Sequence, residues 1–228
     1  MQAPDISHKA QLVHGELVRC YGLPEPKERQ DPLSELVQTI LSQNTSDRNT
    51  ARSFAELKRR FPTWEGVLEA SVEEVIEAIQ VGGLARIKAP RIQAILRQLY
   101  QEQGSLQLEF LREMPASSVK NYLTRLHGVG PKTAACVLLF SLDMPALPVD
   151  THVHRVSLRL GLVPQRSSAE KTQELLEAIL PEQDYYPFHL NMIHHGRTLC
   201  GAARPKCTEC PLDVLCDYTH LHVPDTRV

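Results

Sequence analysis

The sequence lacks any apolar run near the roughly 18–20 residues that a membrane-spanning helix needs. Its apolar runs are short, as at residues 134–140 and 146–149, and the first ten residues are too polar for a signal peptide. A soluble, cytoplasmic protein with no membrane partner is expected. An excess of positive charge is also missing: 25 Lys and Arg stand against 27 Asp and Glu, a formal charge of −2 with ten histidines. That excludes a uniformly basic, histone-like binder, so any nucleic-acid contact must come from local patches or backbone amides. There is no internal repeat, no low-complexity tract and no alternating strand pattern. What is present is 228 residues, 42% of them hydrophobic, enough for one large domain or two small ones and too apolar for a disordered chain.

The apolar spacing is helical nearly throughout. Leu33, Leu36, Val37, Ile40 and Leu41 recur with helical period behind Asp31 as N-cap and Pro32 at the first helical position, which predicts a helix reaching about Gln43. Phe54, Leu57 and Phe61 mark a second helix. Ser71 and Glu74 form a capping box for a third, which Val81-Gly82-Gly83 stops. A fourth is expected after Pro90, through Ile92, Ile95, Leu96 and Leu99, and a fifth through Val119, Tyr122, Leu123 and Leu126. Further helices are expected at about 132–142, 151–160, 168–180 (with Ser167 and Glu170 as a second capping box) and 185–198, after a short N-terminal one at 8–21. The fold class is therefore all-α. Leu23-Pro24-Glu25-Pro26 and the stretch from Pro145 to Pro148 are the evident breaks, and two lobes are plausible.

Residues 126–134, Leu-His-Gly-Val-Gly-Pro-Lys-Thr-Ala, join two helices through a turn with two glycines. Glycine permits positive φ and close backbone approach, and free amides beside a helix N-terminus can bind a phosphate without side-chain charge. An ordinary helical hairpin with a glycine cap would read the same way. Lys132 lies in the first turn, against the helix macrodipole, where a nucleophilic neutral amine is favoured; a solvated surface lysine is the alternative. Asp150 stands where an N-cap is expected for the helix at 151–160, and a carboxylate can cap with one oxygen and face a site with the other.

Of the six cysteines, Cys20 and Cys136 stand alone, whereas Cys200, Cys207, Cys210 and Cys216 are packed into seventeen residues. Crowding of this kind fits a metal-ligand set better than a disulfide framework. Four thiolates in one loop suit tetrahedral zinc or a 4Fe-4S cluster equally well. His194, His195, Arg197, Arg204 and Lys206 make the neighbouring strip basic enough to face phosphates, or simply a solvated face.

From about residue 30 to Cys216 the chain resembles the helix-hairpin-helix DNA glycosylases of the endonuclease III type. Residues 126–134 resemble the family's hairpin, Lys132 falls at its catalytic lysine, and Val149-Asp150-Thr151-His152 matches the segment of its catalytic aspartate. His195-Gly196-Arg197 and the C-x6-C-x2-C-x5-C spacing resemble its iron-sulfur loop. The resemblance implies one 4Fe-4S cluster on the four cysteines and a two-lobed fold. A six-helix barrel domain would span 24–135, an iron-sulfur domain 1–23 with 136–228, and a DNA-facing cleft would lie between them. Residues 40–47 resemble the stretch whose glutamine fills the gap left by an extruded nucleotide, nominating Gln43. Residues 82–89 resemble the loop whose leucine wedges between bases, nominating Leu84. Gly128, Val129 and Gly130 would hold a backbone phosphate, supplemented by His195 and Arg197 and by Arg86, Lys88, Arg91, Arg204 and Lys206.

The implied activity is a bifunctional DNA glycosylase and AP lyase, a monomer acting on double-stranded DNA that carries oxidised pyrimidines or abasic sites. A monofunctional mismatch or adenine glycosylase is the nearest alternative, though such relatives generally carry Ser or Tyr in place of Lys132; a non-catalytic damage-binding protein is another. His127, commonly proline in the family, and Pro131, often arginine, depart from the pattern and bear on loop rigidity and damage preference. Asn44-Thr45-Ser46 departs from the Ala-Thr form of well-known bacterial members.

Overall fold

The computed structural model describes residues 5–26 and 28–222, which contain helices and turns and no strand. The chain divides into two compact units, Glu28–Met144 and Met1–Lys27 with Pro145–Val228. The boundaries expected from the sequence, 23/24 and 135/136, both lie earlier along the chain than those observed, 27/28 and 144/145. The second moves because Ala134, Ala135, Cys136, Val137 and Leu138 are all buried and belong to the core that the preceding helices build. Ser141 Oγ donates to the Gln30 carbonyl at 2.7 Å, tying the end of that segment to the start of the same unit.

α1 (Ile6–Tyr21) belongs to the unit that resumes at Pro145, and the Glu28–Met144 unit opens with α2 (Pro32–Leu41). Asp31 caps α2 by accepting from the Ser34 amide at 2.8 Å, and Leu33, Leu36, Val37, Ile40 and Leu41 fill one buried stripe. α3 (Asp47–Arg60), α4 (Trp64–Glu69) and α5 (Val72–Ile79) follow. The expected capping box forms in full at α5, with Ser71 and Glu74 each bonding the other's backbone amide. α4 was not anticipated, because six residues cover fewer than two turns and show no resolvable period. It brings this unit to seven helices where six were expected.

α6 (Ala85–Gln103) begins five residues before Pro90 rather than after it. Proline there leaves the Arg86 carbonyl without its usual amide partner, a loss softened by Arg86 lying exposed. α7 (Ala116–Thr124) and α8 (Pro131–Val137) enclose the two-glycine turn, and α8 runs into a π-helical turn over Leu138–Leu142.

In the other unit α9 (Thr151–Leu160), α10 (Ala169–Ile179), α11 (Tyr185–Thr198) and α12 (Asp217–His222) join α1. Ser168, one residue later than expected, caps α10 through the Lys171 amide. α11 lies against α9 so closely that a Cβ at Gly196 would stand 2.9 Å from His152 Cβ. No helix among the described residues is long and apolar enough to cross a membrane.

Candidate active site

The turn between α7 and α8 is built by Gly128, whose φ of +76° suits glycine, and by Gly130, the N-cap of α8. Gly128 has a second reason to lack a side chain: a Cβ there would meet Arg91 Cδ and Nε at 2.7 Å. Val129 turns inward, 5% exposed, and its amide donates to the Leu126 carbonyl at 3.0 Å. The amides of Gly128 and Gly130 donate to no backbone carbonyl among the described residues, and a Cβ at Gly130 would meet nothing within 4 Å. Open amides beside a helix start are a ready anion cradle.

Lys132 occupies the second position of α8, partly exposed, and its amine makes no hydrogen bond or ion pair with the described residues. Asp150 caps α9, as expected. Its Oδ1 accepts from the amides of His152 at 2.9 Å and Val153 at 2.8 Å, leaving Oδ2 available. Lys132 belongs to the Glu28–Met144 unit and Asp150 to the other.

Gln43 lies in the turn after α2, just before Asn44 at φ +54°. Leu84 also takes a left-handed conformation, φ +52°, and is 46% exposed. A branched apolar residue held at positive φ and pointing at water is costly on both counts, and such strain concentrates at functional sites. Two side chains of α6 reach these turns. Lys88 Nζ donates to the carbonyls of Leu41 at 2.7 Å and Gly82 at 3.1 Å, and Arg91 Nη1 donates to Gln43 Oε1 at 3.0 Å.

Two expected phosphate contacts are corrected. Lys88 is 1% exposed, with burial lowering the pKa of its ammonium, so it serves the turns rather than a phosphate. His195 is also 1% exposed; its Nδ1 pairs with Tyr21 Oη at 2.9 Å and its Nε2 lies 3.7 Å from Cys210 Sγ. Burial, assisted by His194, pushes its imidazole down to about 4, so at neutral pH it carries no charge for a phosphate. Arg86, Arg197, Arg204 and Lys206 are exposed, as a phosphate contact requires.

Cys200, Cys207, Cys210 and Cys216 line one pocket together with His195 and Arg159. No group of three or more His, Cys, Asp or Glu side chains among the described residues is arranged to hold a single metal ion. Burial, followed by the neighbouring thiols, raises Cys207, and burial pushes Cys210 up to about 11. Two arginines of α9, which the sequence analysis did not single out, hold this loop. Arg155 donates to the carbonyls of Gly196 and Cys200, both at 2.8 Å, while Arg159 donates to the Gly201 carbonyl at 2.7 Å and to Cys200 Sγ at 3.3 Å. Their spacing of four residues on one helix face was the available signal.

Residues 37–182 match the family model described as HhH-GPD superfamily base excision DNA repair protein. The chain belongs to that superfamily. Within it, the chain is 37% identical over 203 residues to endonuclease III of Thermotoga maritima, a match covering 89% of this chain and 90% of that one. It is 40% identical over 195 residues to an Arabidopsis thaliana protein provisionally named as a DNA glycosylase, covering 81% of this chain but 66% of the plant protein. Its fold superposes with a TM-score of 0.80 at 28% identity on an endonuclease III trapped as a covalent intermediate with DNA, over 94% of this chain and 97% of the other. This HhH-GPD protein is thus an endonuclease III homologue in both sequence and fold.

Proposed function

We propose that the protein is a bifunctional DNA glycosylase and AP lyase, working as a monomer on duplex DNA that carries oxidised pyrimidines or abasic sites. The observation that carries this reading is Lys132: a partly exposed lysine with no partner among the described residues, delivered by a two-glycine hairpin whose Gly128 and Gly130 amides donate to no backbone carbonyl there. Chemistry at C1′ cannot proceed on a stacked nucleotide, so the damaged nucleotide is first extruded. The Lys132 amine then attacks C1′, forming a C–N bond while the glycosidic bond breaks and its electron pair leaves with the base. Loss of the amine proton and opening of the sugar ring give a Schiff base. Removal of a C2′ proton expels the 3′ phosphate by β-elimination, and water releases the lysine. Asp150 keeps Oδ1 on the α9 amides and uses Oδ2 to balance positive charge on the sugar and to carry protons.

Cys200, Cys207, Cys210 and Cys216 would hold one 4Fe-4S cluster. Support comes from their sharing one pocket, from thiols whose pKa values burial raises and which therefore need a cation to ionise, and from the Arg159 bond to Cys200 Sγ, a contact of the kind that tunes cluster sulfurs. The cluster would shape and charge its loop, and no bond-breaking step above passes through it. Iron content and visible absorbance of the purified protein separate it from zinc.

Borohydride trapping on a duplex carrying an oxidised pyrimidine tests the lyase chemistry. Wild type should form a covalent adduct and Lys132→Ala should form none, while Asp150→Asn should lose most turnover and still bind DNA. Trapping by Lys132→Ala equal to wild type would refute the mechanism, and undiminished turnover of Asp150→Asn would return that residue to capping alone.

A further inference from the structure

We propose that His189 and Glu177 are positioning residues for excision, holding the segment that delivers Asp150 so that its carboxylate meets the sugar in one place. The inference rests on the glycosylase reading above, in which Asp150 balances charge on the sugar. It concerns only the unit that resumes at Pro145.

The residues from Pro145 to Val149 lie outside any helix, and none of their amides or carbonyls pairs with another backbone group among the described residues. Pro145 and Pro148 have no N–H to give. Leu147 and Val149 anchor the segment by burying their side chains, 0% and 3% exposed. Apolar burial is non-directional, however, and does not set which way the peptide planes face. Two polar side chains supply that direction. The Leu147 amide donates to Glu177 Oε1 at 2.8 Å, and the same oxygen accepts from Gln173 Nε2 at 2.8 Å, which steadies the carboxylate from its own helix. The Pro148 carbonyl pairs with His189 Nδ1 at 2.7 Å. A carbonyl only accepts, so Nδ1 carries the hydrogen. His189 is 3% exposed and Gln173 2%, so these bonds meet little competition from water.

Glu177 belongs to α10 and His189 to α11. Asp150 is therefore held from upstream by these two helices and from downstream by α9, whose first amides fix its Oδ1. Where Oδ2 stands depends on both grips, and a displacement of about 1 Å costs on the order of 10²-fold in rate. His189 and Glu177 act through Asp150 and touch no substrate atom.

The test is single-turnover excision from a thymine glycol duplex by the full chain, beside its affinity for a non-cleavable tetrahydrofuran duplex. His189→Leu is close to imidazole in volume but orphans the Pro148 carbonyl. It should excise about tenfold or more slowly while binding the tetrahydrofuran duplex within about twofold of wild type. His189→Asn leaves the larger cavity but puts Nδ2 where Nδ1 stood, and should excise within about threefold of wild type. A merely structural His189 would rank the two variants the other way, with the smaller side chain the worse. Glu177→Gln, which keeps an acceptor for the Leu147 amide, and Glu177→Leu, which removes it, form a second pair that should split likewise even if a His189 variant fails to fold. Wild-type rates in both leucine variants, rates that rank with side-chain volume instead of with the retained hydrogen bond, or a loss of rate matched by an equal loss of affinity would each overturn the proposal. Borohydride trapping of wild type is scored separately. Excision without a trapped adduct sinks the lyase reading and leaves this one standing, since positive charge develops on the sugar whichever nucleophile attacks. A trapped adduct together with wild-type rates in both leucine variants sinks this one only.

Discussion

Lys88 brings a cationic group to a place that is 1% exposed, where its ammonium donates to two backbone carbonyls. Burying an ammonium is costly, and the lowered pKa of Lys88 expresses that cost. Against it stands the need of the Leu41 and Gly82 carbonyls, both at turns that leave regular helix and have no amide to receive. Lys88→Met keeps the volume and removes the charge, but orphans both oxygens, each worth about 1–3 kcal/mol when buried without a partner. Relief of the buried charge offsets part of this, so a net loss of about 1–3 kcal/mol is expected in urea unfolding, read as a lower midpoint at constant m value. Unchanged or raised stability would show that the desolvation cost of the ammonium exceeds the value of its two bonds.

The hairpin between α7 and α8 lets two neighbouring glycines be separated by experiment. Gly128→Ala must hold alanine at φ +76°, at a cost of roughly 1–2 kcal/mol, and must also displace the Arg91 stem. Gly130→Ala meets open space at φ −93°, which alanine adopts freely. Gly128→Ala should therefore lower the melting temperature and weaken DNA binding together. Gly130→Ala should leave the melting temperature within a degree or so of wild type and weaken DNA binding alone, because the added methyl stands where a phosphate would approach. If both variants bind DNA as wild type does, the turn is a plain helical connection. What was legible in the sequence at this scale was local: Asp31 with Pro32, the Ser71–Glu74 box, the glycine turn and the cap at Asp150 each depend on residues within four positions of one another. What was not legible depends on distant partners. The early start of α6 ahead of Pro90 places Lys88 and Arg91 beneath two turns more than forty residues apart in the chain. His195 reads as a basic surface residue until Tyr21, 174 positions away, is seen to hold it inside. Arg155 and Arg159 gain their meaning only when α9 meets the cysteine loop, 41 to 45 residues further on.

A net charge of −2 gives the whole molecule little general attraction for a polyanion, so affinity must come from a few cations and from uncharged amides. Many of the basic side chains are already committed: Arg59 and Arg60 to Glu56, Arg29 to Asp143, Lys171 to Glu174. Of the cations that the sequence nominates for phosphates, Lys88 is buried, and the exposed Arg86, Arg197, Arg204 and Lys206 remain, with the half-buried Arg91 as a fifth. Each phosphate neutralised contributes about 0.9 to the slope of log K against log salt, so four or five contacts give a slope of about −3.6 to −4.5. Between 50 and 200 mM salt that is a loss of roughly 150–500-fold in affinity, modest for a DNA-binding protein. Anisotropy titrations on one abasic-analogue duplex over that range measure it directly. Arg204→Ala should reduce the magnitude of the slope by about 1, while Gly130→Ala should weaken binding without changing the slope, since a backbone amide contributes no protein cation. A slope near −10 would mean that many cations outside this set grip the duplex, and an unchanged slope in Arg204→Ala would remove Arg204 from the phosphate contacts.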